Sequence, residues 1–304
     1  MRKIRKNLGY SQLDVKEIGS ISADTLRRIE SGKVIPRYDT LELLSIVYKQ
    51  DLLEVLKKYR QEKLLFEYHD DLDYIITSTD KHEIIKLQEC IEARIKSIDY
   101  NTVLNPKEID QFLAFIKAFK VHNTGHSTEI KIVKVNLINK LRLTIPSFNI
   151  KKFDTFNYCY IEYRILLLLS LLIAKEDDFT QSNKILYFIL SQLLDDKFKT
   201  KYIESLIAKV YSNIAYNYHM LDKHQKVIEV CCKGINYCLD KDVFRPLYLL
   251  YYRQGIAQFH QGAREYQASI ENSFYLLKTT QNNTLLKKYV KASKDKYGIV
   301  IPGF

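Results

Sequence analysis

The sequence predicts an all-α protein in two parts, a small helical head over residues 1–60 and a right-handed α-solenoid of helical hairpins over residues 61–304. Three observations predict it. The 304 residues hold only 9 Gly and 5 Pro, so breaks are few and helices long. Apolar residues recur at three- and four-residue spacing through most of the chain, as in Ile203, Leu206, Ile207, Val210 and Ile214. Residues 1–32 differ, with Gly9, Gly19 and Gly32 marking short segments and Ser11 and Ser22 placed to cap helices. A hydrophobic content of 46% with 27% charged residues describes a globular chain rather than a disordered one.

The head reads element by element. Leu8-Gly9-Tyr10 ends a first helix, and Ser11 caps a second that runs to about Ile18. Gly19-Ser20 forms a turn. Ser22 caps a third helix, Ala23 to Glu30, which Ser31-Gly32 terminates. Leu13, Ile18, Leu26 and Ile29 are expected to lock the second and third helices together. Pro36 opens a loop, Asp39-Thr40 starts a helix with Leu41, Leu44 and Val47 on one face, and Leu52 to Leu56 continues the packing.

The third helix carries a polar face of Ser22, Ala23, Thr25, Arg27 and Arg28. Small residues at its start allow close approach to base edges in a major groove. Gln12, at the start of the preceding helix, suits a phosphate, as do Lys33 and Arg37 in the following loop. The net charge is +11, and residues 1–60 hold +5 of it, a density about threefold that of the remainder. A basic head fits a phosphate-rich partner. Ser11-Gln12, Thr25-Leu26-Arg27-Arg28-Ile29-Glu30-Ser31-Gly32, Pro36 and Thr40-Leu41 resemble the Cro/C1-type (XRE) helix-turn-helix. The resemblance implies double-stranded DNA as partner. It also implies that Arg28 is tied to a neighbouring acid, which ranks it below Ser22, Thr25 and Arg27 as a base reader.

Beyond residue 60, helices are expected over 64–78, 81–97, 106–121, 128–143, 154–174, 180–195, 200–221, 224–239, 244–261, 264–279 and 283–296. Polar connections such as Asp222-Lys223-His224 and Asp240-Lys241-Asp242 separate them. The run Ile165 to Ala174 is too short to span a bilayer and reads as a buried helix. Asn213-Ile214-Ala215-Tyr216-Asn217-Tyr218, followed by Val227 and Gly234, resembles a tetratricopeptide repeat, with Ala215 where the two helices cross and Tyr218 three residues on. A second copy about 40 residues later has Gly255 at the first crossing and Ala268 on its second helix. The spacing exceeds the usual repeat of about 34 residues, so the repeats are degenerate.

A helix-turn-helix head on such a body resembles the peptide-pheromone regulators of Gram-positive bacteria, the Rgg/PlcR/PrgX (RRNPP) type. Tyr251-Tyr252-Arg253-Gln254-Gly255 is similar to a segment of that family's C-terminal repeats. The resemblance implies a cytoplasmic homodimer that binds a promoter through paired heads and a short signalling peptide in the concave groove of the repeats, with no enzymatic activity. In that fold the first helix of each hairpin lines the groove. On this register it exposes Lys209, Ser212, Asn213, Tyr216 and His219, then Tyr252, Arg253, Ile256 and Phe259. An Asn amide pairs with both backbone groups of an extended peptide. Arg253 or Lys209 suits its terminal carboxylate. Tyr216 and Phe259 suit repeat packing equally well, and Asn217 is expected to be solvated or to sit between hairpins.

Other classes find little support. No HExxH, P-loop, GxSxG or dinucleotide fingerprint is present. No cofactor or metal is expected. The five cysteines, at 90, 159, 231, 232 and 238, form no CxxC pair and fit a reducing compartment. His122 and His126 are expected in a loop with no third ligand. The basic start Met1 to Lys6 is followed by no apolar core, so it reads as no signal peptide, and no membrane association is expected. Two further readings of the sequence are a helix-turn-helix repressor controlled by a protein partner, and a helical-repeat scaffold that does not bind DNA.

Overall fold

A computed structural model describes residues 1–19, 21–56, 69, 86, 89–90, 93, 106–124, 127–196 and 199–304. The helices expected over 64–78 and 81–97 lie largely outside the described residues, as does the boundary between head and body. The chain forms two compact units, one holding the described residues 1–56 and the other residues 106–304. Among the described residues there is no β-strand, and no helix is long and apolar enough to cross a membrane.

The head comprises α1 (Arg2–Asn7), α2 (Gln12–Gly19), α3 (Ala23–Glu30) and α4 (Tyr38–Tyr48), with residues 52–56 also helical. Both serine caps form. Ser11 Oγ accepts from the Asp14 amide at 3.1 Å while the Asp14 carboxylate accepts from the Ser11 amide at 2.6 Å, a reciprocal cap. Ser22 Oγ accepts from the Thr25 amide at 3.0 Å. The core is Val15, Ile21, Leu26, Leu41, Leu44, Val47, Tyr48 and Leu52.

This corrects the expected contacts. Leu13 and Ile18 are 63% and 57% exposed, and Val15 and Ile21 take the inward places. Gly19 is the last residue of α2 rather than a turn residue. Its face lies so close to α4 that a Cβ there would meet Val47 Cγ2 at 2.6 Å. That approach fixes which side of α2 is buried, and Leu13 and Ile18 fall on the other. Ser20 lies outside the described residues.

The body comprises α5 (Pro106–Thr124), α6 (Ser127–Leu141), the 3-10 helix η1 (Ile150–Thr155), α7 (Tyr160–Ala174), α8 (Phe179–Asp195), α9 (Lys201–Met220), α10 (His224–Asp240), α11 (Leu247–His260), α12 (Tyr266–Thr279) and α13 (Asn283–Tyr297). Each helix from α7 to α13 packs on the next, and α7–α9 and α9–α11 also touch. The inner row is therefore α7, α9 and α11, while α8, α10 and α12 pack chiefly on their inner neighbours. An inner row closer-packed than the outer one curves a solenoid toward the inner side. α7 is buried along almost its whole length, including Leu166, Leu168, Leu169 and Leu172, as its apolar run requires.

Several elements differ from the sequence reading. Residues 154–159 do not begin α7. Phe148 packs against both Phe156 and Tyr158, the Tyr158 hydroxyl donates to the Phe153 carbonyl at 2.5 Å, and Phe153 packs on Phe188. These aromatic contacts hold the segment out of helix until the Cys159 amide donates to Glu162 at 2.7 Å and α7 starts. His122 belongs to α5 rather than to a loop, and His126 lies outside the described residues. Asn217, by contrast, takes the second of its two expected places: it is fully buried and donates to Ser182 Oγ and Asn183 Oδ1 at 2.8 and 2.9 Å, so it joins hairpins.

The crossings form where small residues sit, with one exception. Ala215 and Val227 are buried, and a Cβ on Gly234 would meet Tyr211 Cβ at 2.9 Å. Ala268 is exposed, and the small buried residue opposite α11 is Ser269, whose hydroxyl donates to Gln258 at 2.7 Å. A Cβ on Gly255 would lie 2.5 Å from Ile270 Cγ1 and 3.1 Å from the Tyr266 carbonyl oxygen. Backbone cannot yield as a side-chain tip does. Overpacking costs about 1–3 kcal/mol, against about 1 kcal/mol regained in helix propensity. With backbone atoms at 3.1 and 3.2 Å the cost falls in the upper part of that range, about 2–3 kcal/mol, so Gly255→Ala is expected to lower stability by about 1–2 kcal/mol net in denaturant unfolding. An unchanged midpoint would mean that α11 and α12 separate freely.

Candidate functional site

The two candidate surfaces lie one on each unit. On the head, Ser22, Thr25, Arg27 and Arg28 are exposed on α3, opposite the buried Leu26 and Ile29. Ala23 is partly buried at the helix start, and Lys33 and Arg37 are exposed in the loop that follows. The hydroxyl of Ser22 also donates to Thr25 Oγ1 at 2.8 Å, so it serves the helix cap as well as the surface. Arg27 pairs with Asp24 at 2.6 Å, with both side chains more than half exposed. An ion pair in that setting is worth about 0–1 kcal/mol and gives way readily to a phosphate or a base edge. Asp24 is the acid that the sequence reading of this face omitted.

Beneath that face lies a polar anchor. Arg5 donates to Glu30 through Nε at 2.6 Å and Nη2 at 2.9 Å, and through Nη1 to the Tyr10 carbonyl at 2.7 Å. Gln12 Nε2 donates to the same carboxylate at 2.8 Å. The side chains of the ion pair are only 10% and 3% exposed. Hydrogen bonding to Arg5 holds the Glu30 carboxyl below its ordinary value, burial opposing, with Gln12 adding to the lowering. Two expectations shift as a result. The arginine held by a buried acid is Arg5, while Arg28 is exposed on the surface of α3. Gln12, expected on a phosphate, spends its amide nitrogen inside the head.

On the body, a cavity of about 260 Å³ opens between α5, α7, α9 and α11. Lys209, Ser212, Asn213 and Arg253, all named from the sequence, line it together. On α9 the first three stand at i, i+3 and i+4, which is one helical face. Phe115, Phe119, Leu168, Leu206 and Leu249 make its apolar walls, and Arg164, Arg245 and His122 add positive or ionisable groups that the sequence reading did not find. Among the described residues lining it none is acidic. Arg253 Nε donates to the buried Ser212 hydroxyl at 3.2 Å, and its guanidinium lies 4.9 Å from the ring centre of Tyr216. That leaves the guanidinium fixed at the rim. Asn213 Nδ2 donates to the Lys209 carbonyl at 2.8 Å, one turn back along α9.

The remaining expected groove residues lie elsewhere. His219 groups with His224 and His260, with ring centres 5.8 and 5.9 Å away. Burial, then the nearby cations and imidazoles, push it down to about 4 from the usual 6.5, so it is neutral at neutral pH. Among the described residues no group of His, Cys, Asp and Glu is arranged to hold a metal ion. Tyr252 meets Tyr289 edge-on at 4.5 Å and accepts from Ser293, which removes it from the cavity. Ile256, expected on the concave face, is buried with Ile270, Phe274, Ile299 and Ile301, and Phe259 packs on that cluster and on Tyr266. The C-terminal helix and tail cover this part of α11.

These surfaces define a helix-turn-helix head joined to a helical-repeat body. Residues 1–55 match the helix-turn-helix family model HTH_3. No curated protein matches the sequence. Among solved structures, the fold is similar to Bacillus thuringiensis PlcR in complex with the peptide PapR7 and DNA, with a TM-score of 0.69 and 17% identity over 95% of this chain and 96% of that one. It is also similar to ComR from S. thermophilus in complex with DNA and its signalling peptide ComS, with a TM-score of 0.59 and 13% identity over 98% of both chains. The apo form of the competence regulator ComR from Streptococcus vestibularis gives a TM-score of 0.51 and 14% identity over 96% of this chain and 95% of that one.

Proposed function

We propose that this protein is a transcription regulator that binds promoter DNA through α3 and is switched by a short signalling peptide held in the cavity between α5, α7, α9 and α11. The observation that carries the reading is the cavity itself, lined by apolar side chains together with Arg164, Lys209, Arg245 and Arg253, with no acidic lining residue among those described. It suits a ligand with apolar side chains and a free carboxylate. The likeness in fold to PlcR and ComR, each solved with DNA and a peptide, supports the same division of labour. The protein acts without cofactor or enzymatic activity, as a homodimer in the cytoplasm. Two heads then read half-sites about 34–36 Å apart, or a multiple of that distance.

Thr25, Arg27 and Arg28 read bases, with Lys33 and Arg37 on phosphates. Gln12 reaches a phosphate only through the part of its amide that Glu30 does not hold. In the cavity, Arg253 or Lys209 meets the peptide carboxylate, and Asn213 Oδ1 accepts from a peptide N–H, since its nitrogen is bound to Lys209. Tyr216 fixes Arg253 by stacking beneath it.

The test is fluorescence anisotropy, at fixed salt, with DNA from upstream of the protein's own gene and synthetic peptides from neighbouring small open reading frames. Salt is fixed because phosphate contacts make affinity strongly salt-dependent. Specific binding that shifts with one peptide is expected. Specific binding indifferent to every peptide indicates a repressor controlled by a protein partner, and a folded chain with no specific binding indicates a scaffold. Thr25→Ala with Arg27→Ala is expected to weaken specific DNA binding by about 2–6 kcal/mol in all, at about 1–3 kcal/mol per lost base contact, with peptide affinity unchanged. Asn213→Ala is expected to weaken peptide binding about tenfold, close to one lost hydrogen bond, and to leave peptide-free DNA affinity unchanged.

A further inference from the structure

A second cleft, of about 730 Å³, shares no residue with the cavity above. It lies between η1, α8, the end of α9 and the start of α10. Lys151, Lys184, Lys223 and Lys226 line it against a single acid, Asp154. All four lysines are exposed, and among the described residues no ion pair takes up any of them. Between the lysines stand two tyrosines. Tyr187 is 41% exposed, and its hydroxyl donates to that of Tyr218 at 3.3 Å, which sets both rings in the cleft wall. Lys226 Nζ lies 5.5 Å from the ring centre of Tyr218, so cation and aromatic face are adjacent.

The floor is built from within. The fully buried Asn217 donates to Asn183 Oδ1 at 2.9 Å. Asn183 also lines the cleft. The wall thus offers four ammonium groups, which suit phosphoryl oxygens, beside two aromatic rings that suit a planar base. The volume falls in the range of small-molecule sites, about 300–1,000 Å³.

We propose that this cleft binds a nucleoside polyphosphate, its base against Tyr187 and Tyr218 and its phosphates on Lys151, Lys184, Lys223 and Lys226. A base without phosphates leaves the lysines unanswered, and a polyphosphate without a base leaves the tyrosine faces bare. An acidic peptide would meet the charge but not the planar surfaces. The proposal does not rest on the DNA or peptide reading, and it can fail while that reading stands.

The test is isothermal titration of the full chain at fixed salt with Mg-ATP and Mg-GTP, and separately with tripolyphosphate, adenosine and an acidic glutamate peptide. At least one nucleotide is expected to bind at least tenfold more tightly than tripolyphosphate or adenosine. Lys184→Ala with Lys226→Ala is expected to weaken it at least tenfold. Tyr187→Leu is expected to weaken it several-fold, and Tyr187→Phe to retain it. Thermal unfolding of each variant should match the parent, and Lys184→Gln with Lys226→Gln replaces the alanine pair if that pair melts early. Tripolyphosphate binding as tightly as either nucleotide, tighter binding of the acidic peptide, no nucleotide binding, or binding indifferent to the lysine pair would each overturn the proposal.

Discussion

Glu30→Ala is expected to destabilise the head by about 3–5 kcal/mol while sparing the body. The substitution leaves the Arg5 guanidinium buried and paired only with the Tyr10 carbonyl, and takes from Gln12 its acceptor. A domain of about 60 residues holds only a few kcal/mol of stability, so the loss approaches the whole of it. Hydrogen exchange should accelerate across residues 1–55 and stay unchanged from 127 onward, and DNA binding should disappear. Arg5→Met with Glu30→Leu removes both charges at similar volume and is expected to recover most of the stability. The pH dependence follows from the lowered carboxyl. Its contribution is full above the ordinary value of 4.5 and is lost as pH falls through the lower folded value. A head whose exchange is indifferent to Glu30→Ala would make the pair ornamental.

That anchor was not legible in the sequence, because its members stand 25 residues apart and neither carries a local pattern. What was legible is local. Ser11 and Ser22 announce their helices by position, and Leu41, Leu44 and Val47 announce their face by spacing. α2 shows the limit. With Leu13, Val15 and Ile18 in eight residues, periodicity alone does not choose a face, and the choice is made by Gly19 against Val47 on another helix. The cavity divides in the same way. Lys209, Ser212 and Asn213 share a face of α9 whatever its surroundings. Arg164 and Arg245 join them only because α7 and α11 fold beside α9. Ile256 was expected on an open wall of α11, but Ile299 and Ile301 cover it, and Phe259 takes the packing place that its spacing also allowed.

Arg253→Ala is expected to weaken peptide binding by about 2–3 kcal/mol, roughly 30- to 160-fold, as loss of a charge-assisted hydrogen bond in a partly desolvated cavity requires. The side chain is fixed beforehand by Ser212 and by the ring of Tyr216, so little entropy is lost when a carboxylate arrives. Arg253→Lys keeps the charge but loses the planar fork and the stacking, so it should fall between parent and alanine. Ser212→Ala removes only the Nε anchor and should cost less than either. The decisive comparison uses one peptide in two forms, with a free C-terminal carboxylate and with an amide. The parent should favour the free acid strongly, and Arg253→Ala should bind both forms nearly alike. If the alanine variant kept the parent's preference, the carboxylate would be met by Lys209 or Arg245 on the same rim, and Lys209→Ala and Arg245→Ala would show which. Peptide-free DNA affinity should be the same in all of these variants, because every substitution lies in the body and none touches the residues on α3 that meet the bases.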